Sequence, residues 1–287
     1  MLTVPAKPML LSTSEKPFLD SGFIFEWKVD GVRCVAHINQ DRVRLFSRHG
    51  KDCTAAFPEL EKLGHNIMAN SAVLDGELCV ILDGKPDFDA VMSRYLTRDP
   101  KGTLSTMRQK PAAYVVWDIL EQDGRDLTGH PLIERKELLR QTIMPGHSLQ
   151  IIDHVDGDGE ALFEAIRSHE LEGIVAKKRL SPYRTGIRTA SWIKIKNWHL
   201  KDCFITGYRT DGPGIYVATE EGAPLGFAEF GMGSTERKAL ITITKEIQVK
   251  KDKNVVWIKP LLRCQVKYAG TTSAGKLRNT CFVKFLC

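Results

Sequence analysis

The chain has 287 residues with 41 Lys plus Arg against 35 Asp plus Glu, a formal net charge of +6, and 43% hydrophobic residues. That composition suits about two globular domains with packed cores and excludes a disordered tail. No run approaches the ~20 apolar residues of a membrane-spanning helix, the first twelve residues do not read as a signal peptide, and seven cysteines without a Cys-x-x-Cys pair argue against structural zinc and a disulfide framework.

Cysteines used this way point to a reducing cytoplasm, as small buried hydrophobes. Strand signals dominate the first part of the chain. Residues 24–29 alternate, with Phe23, Phe25, Trp27 and Val29 on one face. Glu26, Lys28 and Asp30 share the other, because strand side chains repeat every two residues. Asn39-Gln40-Asp41 predicts a turn into a strand over residues 42–48. Further strands are expected over 73–82, closed by Asp83-Gly84, and over 113–120, 173–177 and 192–196. Helices are expected over 86–96, 133–140 and 159–168, the last with Ala161, Leu162, Ala165 and Ile166 on one face.

Beyond Trp198 the pattern changes to short strands between glycine turns: 203–208, 215–217, 226–230, 255–258 and 261–268. A basic stretch, residues 245–253, lies between them. This spacing predicts a small β-barrel. Charge divides the chain at the same place. Residues 198–287 hold 14 Lys plus Arg and 8 Asp plus Glu, so the whole net charge sits there, while residues 1–197 hold 27 of each. Such asymmetry marks a separate domain with its own partner.

Lys28-Val29-Asp30-Gly31-Val32-Arg33 is the sharpest chemical feature. It sets an amine, an acid and a guanidinium at a strand end, with glycine permitting a tight turn. A lysine nucleophile must be deprotonated and aimed, and arginine grips phosphate oxygens in a fork. Taken alone, the segment could be a solvated strand end. The order of five later motifs decides: Ser47-Arg48-His49-Gly50, Leu74-Asp75-Gly76-Glu77-Leu78, Tyr114 through Leu120 with Trp117, Glu172-Gly173-Ile174-Val175-Ala176-Lys177, and Trp192-Ile193-Lys194-Ile195-Lys196.

This ordered set resembles the covalent nucleotidyltransferases, and within them the bacterial ATP-dependent DNA ligases of the ligase D type. Connecting segments agree, among them Asp123-Gly124-Arg125-Asp126-Leu127, residues 131–136 and residues 181–186. The resemblance covers essentially the whole chain. It implies an α+β fold: residues 1–198 as an ATP-grasp-like adenylation (nucleotidyltransferase) domain with antiparallel sheets, and residues 199–287 as an OB-fold β-barrel that closes over ATP or clamps the duplex.

The resemblance also implies roles. Lys28 attacks the α-phosphorus of ATP and becomes lysyl-AMP. Glu26 accepts a hydrogen bond from the adenine amino group; a carboxylate only accepts, which favours ATP over GTP. Trp117 stands where the family stacks an aromatic on adenine, often Phe. Trp27, beside the nucleophile, is placed with the nucleotide-binding residues. Glu77 and Glu172 match ribose- and metal-contacting carboxylates, and Asp30 orients the nick or the metal. Lys194 and Lys196 hold the α-phosphate with Lys177 as helper, stabilising charge spread over phosphoryl oxygens. Arg33 lies near the reacting phosphates, and Arg48 is a candidate for the nick 5′-phosphate.

The implied cofactors are ATP and Mg²⁺, with Mn²⁺ as a substitute; one or two carboxylates plus phosphate oxygens and water satisfy such an ion. The implied partner is nicked double-stranded DNA, met by a cytoplasmic, nucleoid-associated monomer of bacterial or phage origin, with no membrane partner and recruiting proteins unidentified. The tail departs from the family. Thr280 stands near an expected proline, and Leu286-Cys287 stands where a basic residue is expected, so Arg278 and Lys284 are the remaining basic groups for pyrophosphate orientation. The alternatives are an RNA ligase or capping-type enzyme, against which Glu26 and the ligase D-like segments argue, and a non-enzymatic nucleic-acid-binding module.

Overall fold

The computed structural model of the chain describes residues 7–40 and 42–286. Asp41 in the first turn, the first six residues and Cys287 lie outside the described residues. The chain divides into two compact units, Met1–Asn197 and Trp198–Cys287. No helix among the described residues is long and apolar enough to cross a membrane.

The first unit is built on two largely antiparallel sheets. One orders its strands Leu10–Ser14, Arg188–Lys196, Gly173–Lys178, Leu19–Trp27 and Val155–Asp158. The other runs Arg42–Ser47, Val32–Asn39, Ser71–Leu82, Ala112–Gln122 and the short Arg125–Asp126. Hairpins close as the sequence predicts at Asp83-Gly84, and again at Asp123-Gly124. All four residues have positive φ between 49° and 80°. Two left-handed residues in succession match the right-handed twist of the flanking strands.

Each sheet buries one face under helices. Phe23, Phe25, Ile174, Ala176 and Ile195 pack with Ile166 of the Gly159–Ser168 helix. On the other sheet, Cys34, Ala36, Leu74, Tyr114 and Val116 pack with Ala90 and Val91 of the Phe88–Leu96 helix and with Leu60 and Leu63. The remaining faces meet each other through Met9, Ile24 and Trp192 from one side and Val35, Val73 and Leu120 from the other. This shared apolar layer sets the two sheets face to face, and the charged residues of the same strands stand beyond it.

Several elements differ from the sequence reading. The Leu19–Trp27 strand ends at Trp27, one residue before Lys28. The first helix begins at Phe88, because Asp87 caps it by accepting from Ala90 N–H and Pro86 belongs to a short strand. A helix over Pro100–Gln109, capped by Asp99, has only Thr103 buried, so it lacks the apolar stripe that would announce it.

The second unit is a six-stranded antiparallel sheet ordered Pro224–Ala228, Ile215–Ala218, His199–Arg209, Val255–Tyr268 and Gln248–Asp252, with Cys281–Phe285 also on Val255–Tyr268. The two strands expected over 255–258 and 261–268 are one strand. Its ladder to His199–Arg209 jumps from Trp257 to Leu262, so Pro260, which lacks an N–H, falls in the irregularity. Part of the basic stretch is an edge strand: Lys250 and Lys251 are exposed on Gln248–Asp252, while Lys245 lies in a short 3-10 helix before it. Lysines on an edge also oppose pairing with foreign strands. A helix over Ser234–Ile243, unforeseen from the sequence, packs Leu240 into this unit's core. Cys203 and Cys264 are direct cross-strand partners whose buried thiols lie 3.6 Å apart, both free.

Candidate functional site

The strand register aligns one face of the first sheet. Glu26 pairs with Val175, Val175 with Lys194, Lys177 with Trp192, and Gly173 with Lys196. Lys28 follows the strand end, where its N–H donates to the Gly173 carbonyl at 2.8 Å. The facing sheet contributes Arg33, Asp75 and Glu77 from paired strands; Arg33 stands opposite Glu77 in register.

Two ionic clusters result. In the first, Glu172 bridges two lysines. Lys28 Nζ donates to Glu172 Oε2 at 2.6 Å, and Lys196 Nζ lies 3.7 Å from Oε1. Burial pulls the Lys28 pKa down, but Glu172, Glu77 and Asp30 outweigh it and hold the amine above the ordinary lysine value. Lys194 is pushed below that value by burial and by Lys196, Lys28 and Arg188. Glu77 is buried, and burial with the fields of Glu172 and Asp75 lifts its pKa to about 8 against the pull of Lys28 and Arg33.

In the second cluster Glu26, 2% exposed, meets two ammonium groups. Lys136 Nζ lies 2.5 Å from Oε1 and Lys177 Nζ 2.5 Å from Oε2. Burial alone would raise the Glu26 pKa; the two lysines overcome it and keep the carboxylate ionised. Lys177 also lies 4.2 Å from the ring centre of Trp192 and 5.0 Å from that of Trp117. The Arg33 guanidinium sits 5.4 Å from the Trp117 ring and is clamped in a fork by Asp75, at 2.7 and 3.1 Å. Tyr183 Oη donates to the same carboxylate at 2.9 Å.

The sequence-derived set therefore comes together in large part: Glu26, Arg33, Glu77, Trp117, Lys177, Lys194 and Lys196 stand on strands of the two facing sheets, and Lys28 and Glu172 lie at strand ends beside them. Asp30 is half-buried beside Lys28 and contributes to its charge environment. Arg48 is exposed on a hairpin loop whose Arg48 N–H donates to the Arg33 carbonyl. Trp27 is half-buried. It lies on the opposite strand face from Glu26 and packs into the apolar clusters around Phe25 and Val29, as period-two alternation requires. Lys136, Asp75 and Tyr183 carry no role in the sequence reading. Lys136 ends the family-like segment 131–136, to which no chemical role attaches in the sequence reading, and its partner is 110 residues away.

Three observations bear on what the site can hold. Trp117 and Trp192 bury indole Nε1–H groups that lack a partner among the described residues. Two tryptophans with unpaired donors, beside Lys177 and Arg33, fit an aromatic base carrying phosphates. Among the described residues no three His, Cys, Asp or Glu groups converge as a metal cage. Glu77 and Glu172 instead form a mutually repelling pair, which fits a divalent ion completing its shell with phosphate oxygens and water. Two glycines keep the cleft in shape. A Cβ on Gly31 would lie 2.2 Å from the Leu78 carbonyl oxygen, and one on Gly173, where φ is +142°, would lie 2.2 Å from that of Ile195. Gly173→Ala should therefore cost on the order of 3 kcal/mol. Denaturant unfolding would check this; an unchanged midpoint would refute it.

The comparisons with known proteins come down on one family. A family model described as an ATP dependent DNA ligase domain matches residues 1–196. The SPbeta prophage-derived DNA ligase-like protein LigB of Bacillus subtilis is 34% identical over 276 residues, 96% of this chain and 97% of that protein. The multifunctional non-homologous end joining DNA repair protein LigD of Mycobacterium tuberculosis is 32% identical over 285 residues, and the match spans only 35% of its length. Among solved structures, mycobacterial DNA ligase D complexed with ATP and MES aligns with a TM-score of 0.60 at 28% identity, covering 98% of this chain and 95% of that one.

Proposed function

The chain belongs to the ATP-dependent DNA ligases, and on that premise we propose that it seals nicks in duplex DNA through a lysyl-AMP on Lys28. The observation that carries the residue assignment is Lys28 Nζ held at 2.6 Å by Glu172 in a cleft shared with Lys194 and Lys196. Residues 1–198 act as the adenylation domain and residues 199–287 as the OB-type duplex-binding domain.

The sequence of steps follows from the chain's own groups. Lys28 is held as an ammonium ion, so it must first lose a proton; Glu172, already hydrogen-bonded to it, is the acceptor within reach. The amine then attacks the α-phosphorus of ATP, forming a phosphoramide bond and expelling pyrophosphate. Lys194 and Lys196 on the same strand face balance charge on the non-bridging oxygens. AMP passes to the 5′-phosphate of the nick, and the 3′-hydroxyl displaces it. Glu26 accepts from the adenine amino group, Trp117 packs the base, and Arg33, preset by Asp75, holds phosphate. A divalent cation, taken as Mg²⁺, would be held by Glu77 and Glu172 and would offset phosphate charge.

The decisive test is sealing of a nicked duplex with ATP, run beside nicked RNA and beside GTP. Sealing of DNA with ATP is expected; preference for RNA or GTP would favour a capping-type or RNA-ligase reading. The end-joining role printed for LigD extends to this chain only as a proposed place in DNA repair, in a cytoplasmic, nucleoid-bound monomer. The exposed lysines of the Gln248–Asp252 edge strand should meet phosphate. Neutralising Lys250, Lys251 and Lys253 should reduce the salt slope of nick binding by up to about 0.9 for each phosphate no longer neutralised. Adenylation of Lys28 should stay nearly intact. A fluorescence titration across salt concentrations measures it, and an unchanged slope would place the DNA-binding face elsewhere.

A further inference from the structure

The Glu26 carboxylate raises a problem for nucleotide binding. Both of its oxygens are already taken, Oε1 by Lys136 and Oε2 by Lys177, each at 2.5 Å. Each oxygen keeps a second lone pair, but with Glu26 only 2% exposed and a lysine on each oxygen, a base amino group reaches it through the side that one of the lysines covers. If both left, a carboxylate buried to 2% exposure would lose its counter-charges and take up a proton, becoming a donor as well as an acceptor.

The two lysines are not equivalent. Lys136 rises from the Leu132–Thr142 helix, is 1% exposed, and has a second acceptor, the main-chain carbonyl of Trp117 at 3.4 Å. It thus ties the nucleophile's strand to the Trp117 strand across the cleft. Lys177 lies over the rings of Trp117 and Trp192, at 5.0 and 4.2 Å; Trp192 is a core residue, so the half-buried Trp117 ring is the face a base would meet where Lys177 now lies. Two buried ammonium groups about one carboxylate leave an excess positive charge, and burial with Lys136 lowers the Lys177 pKa to about 8. His154, whose pKa burial and Lys136 lower, adds a largely neutral neighbour, and Arg140 is near it. Asp118 adds a weaker field on Lys177 and is itself committed to Arg135.

We propose that Lys136 is a positioning residue for nucleobase choice: it stays on Glu26 Oε1 and keeps the carboxylate ionised, while Lys177 is the exchangeable cap that the base replaces at Oε2. Lys177 is thereby released toward the phosphates of the incoming nucleotide. Glu26 then presents one fixed acceptor, which suits an amino group and repels the carbonyl of guanine. This rests on the reading of Glu26 as the adenine contact.

The test measures self-adenylation with ATP and self-guanylation with GTP in the native protein and in Lys136→Met, Lys136→Arg and Glu26→Gln. Lys136→Met should raise KM for ATP about tenfold, the scale of one charge-assisted hydrogen bond, with a smaller change in kcat. Its ATP-over-GTP preference should fall toward that of Glu26→Gln, and Lys136→Arg should recover most of both. A folded Lys136→Met with native KM and native preference would overturn the inference. If Glu26→Gln itself left the preference unchanged, the adenine contact would fail instead. A second readout needs no variant: with α,β-methylene-ATP bound to the native protein, Lys136 should remain on Oε1 and Lys177 should have left Oε2. The reverse exchange, or both lysines staying, would also overturn it.

Discussion

Replacing Lys28 with alanine should abolish covalent transfer of label from α-labelled ATP to the protein, a fall of at least about a thousandfold. Nothing nearby can substitute. Lys196 is turned to Glu172, and Lys194 lies two residues before it on the same strand, opposite Val175 rather than at the Gly173 strand end where Lys28 sits. The fold should tolerate the change. Lys28 is half-buried and its removal leaves Glu172 to hold Lys196 more closely. Denatured samples run on a gel after labelling would read the outcome. Label that survived Lys28→Ala would move the nucleophile elsewhere and undo the assignment of the whole cluster. With pre-adenylated nicked DNA as substrate, the variant should retain part of the last sealing step, since that step needs phosphate binding and not the amine.

The second large effect concerns stability and leaves the reacting groups in place. Arg135 and Asp118 are both fully buried and joined in a fork at 2.7 and 2.8 Å. Arg135 also donates to the carbonyls of His130 and Ser181. Asp118→Ala would leave a guanidinium uncompensated in the core, at about 3–5 kcal/mol. For a unit of this size the melting temperature should drop by on the order of 10 °C. The double change Asp118→Leu with Arg135→Met should recover much of the loss, because removing both charges removes the uncompensated one. Thermal unfolding of the three variants decides it. A single Asp118→Ala as stable as the native chain would mean that water reaches the pair.

The site was legible where its residues sit in local patterns. Lys28, Asp30, Gly31 and Arg33 form one segment, and Glu172 with Lys177 form another. Lys194 and Lys196 could be placed on one face because a strand repeats every two residues. The same rule puts Trp27 on the far side from Glu26, where it is half-buried against the apolar clusters. Helices without an apolar stripe escaped notice, as did the continuity of Val255–Tyr268 through Pro260, because a proline reads as a stop and an irregular ladder can absorb it. Arg94, Arg135 and Lys136 are buried charges, and composition alone assigns such residues to the surface.

The amino-acid sequence by itself determined the central strands of the first unit, the alternation of their faces, the Lys28–Arg33 segment and the concentration of charge after Trp198, because each depends on neighbours a few residues apart. Only the tertiary structure decided who neutralises whom: Lys136 with Glu26 across 110 residues, and Lys28 with Glu172 across 144. Ion pairing depends on distance in space and on the loss of water, and neither is fixed until the two sheets close on each other.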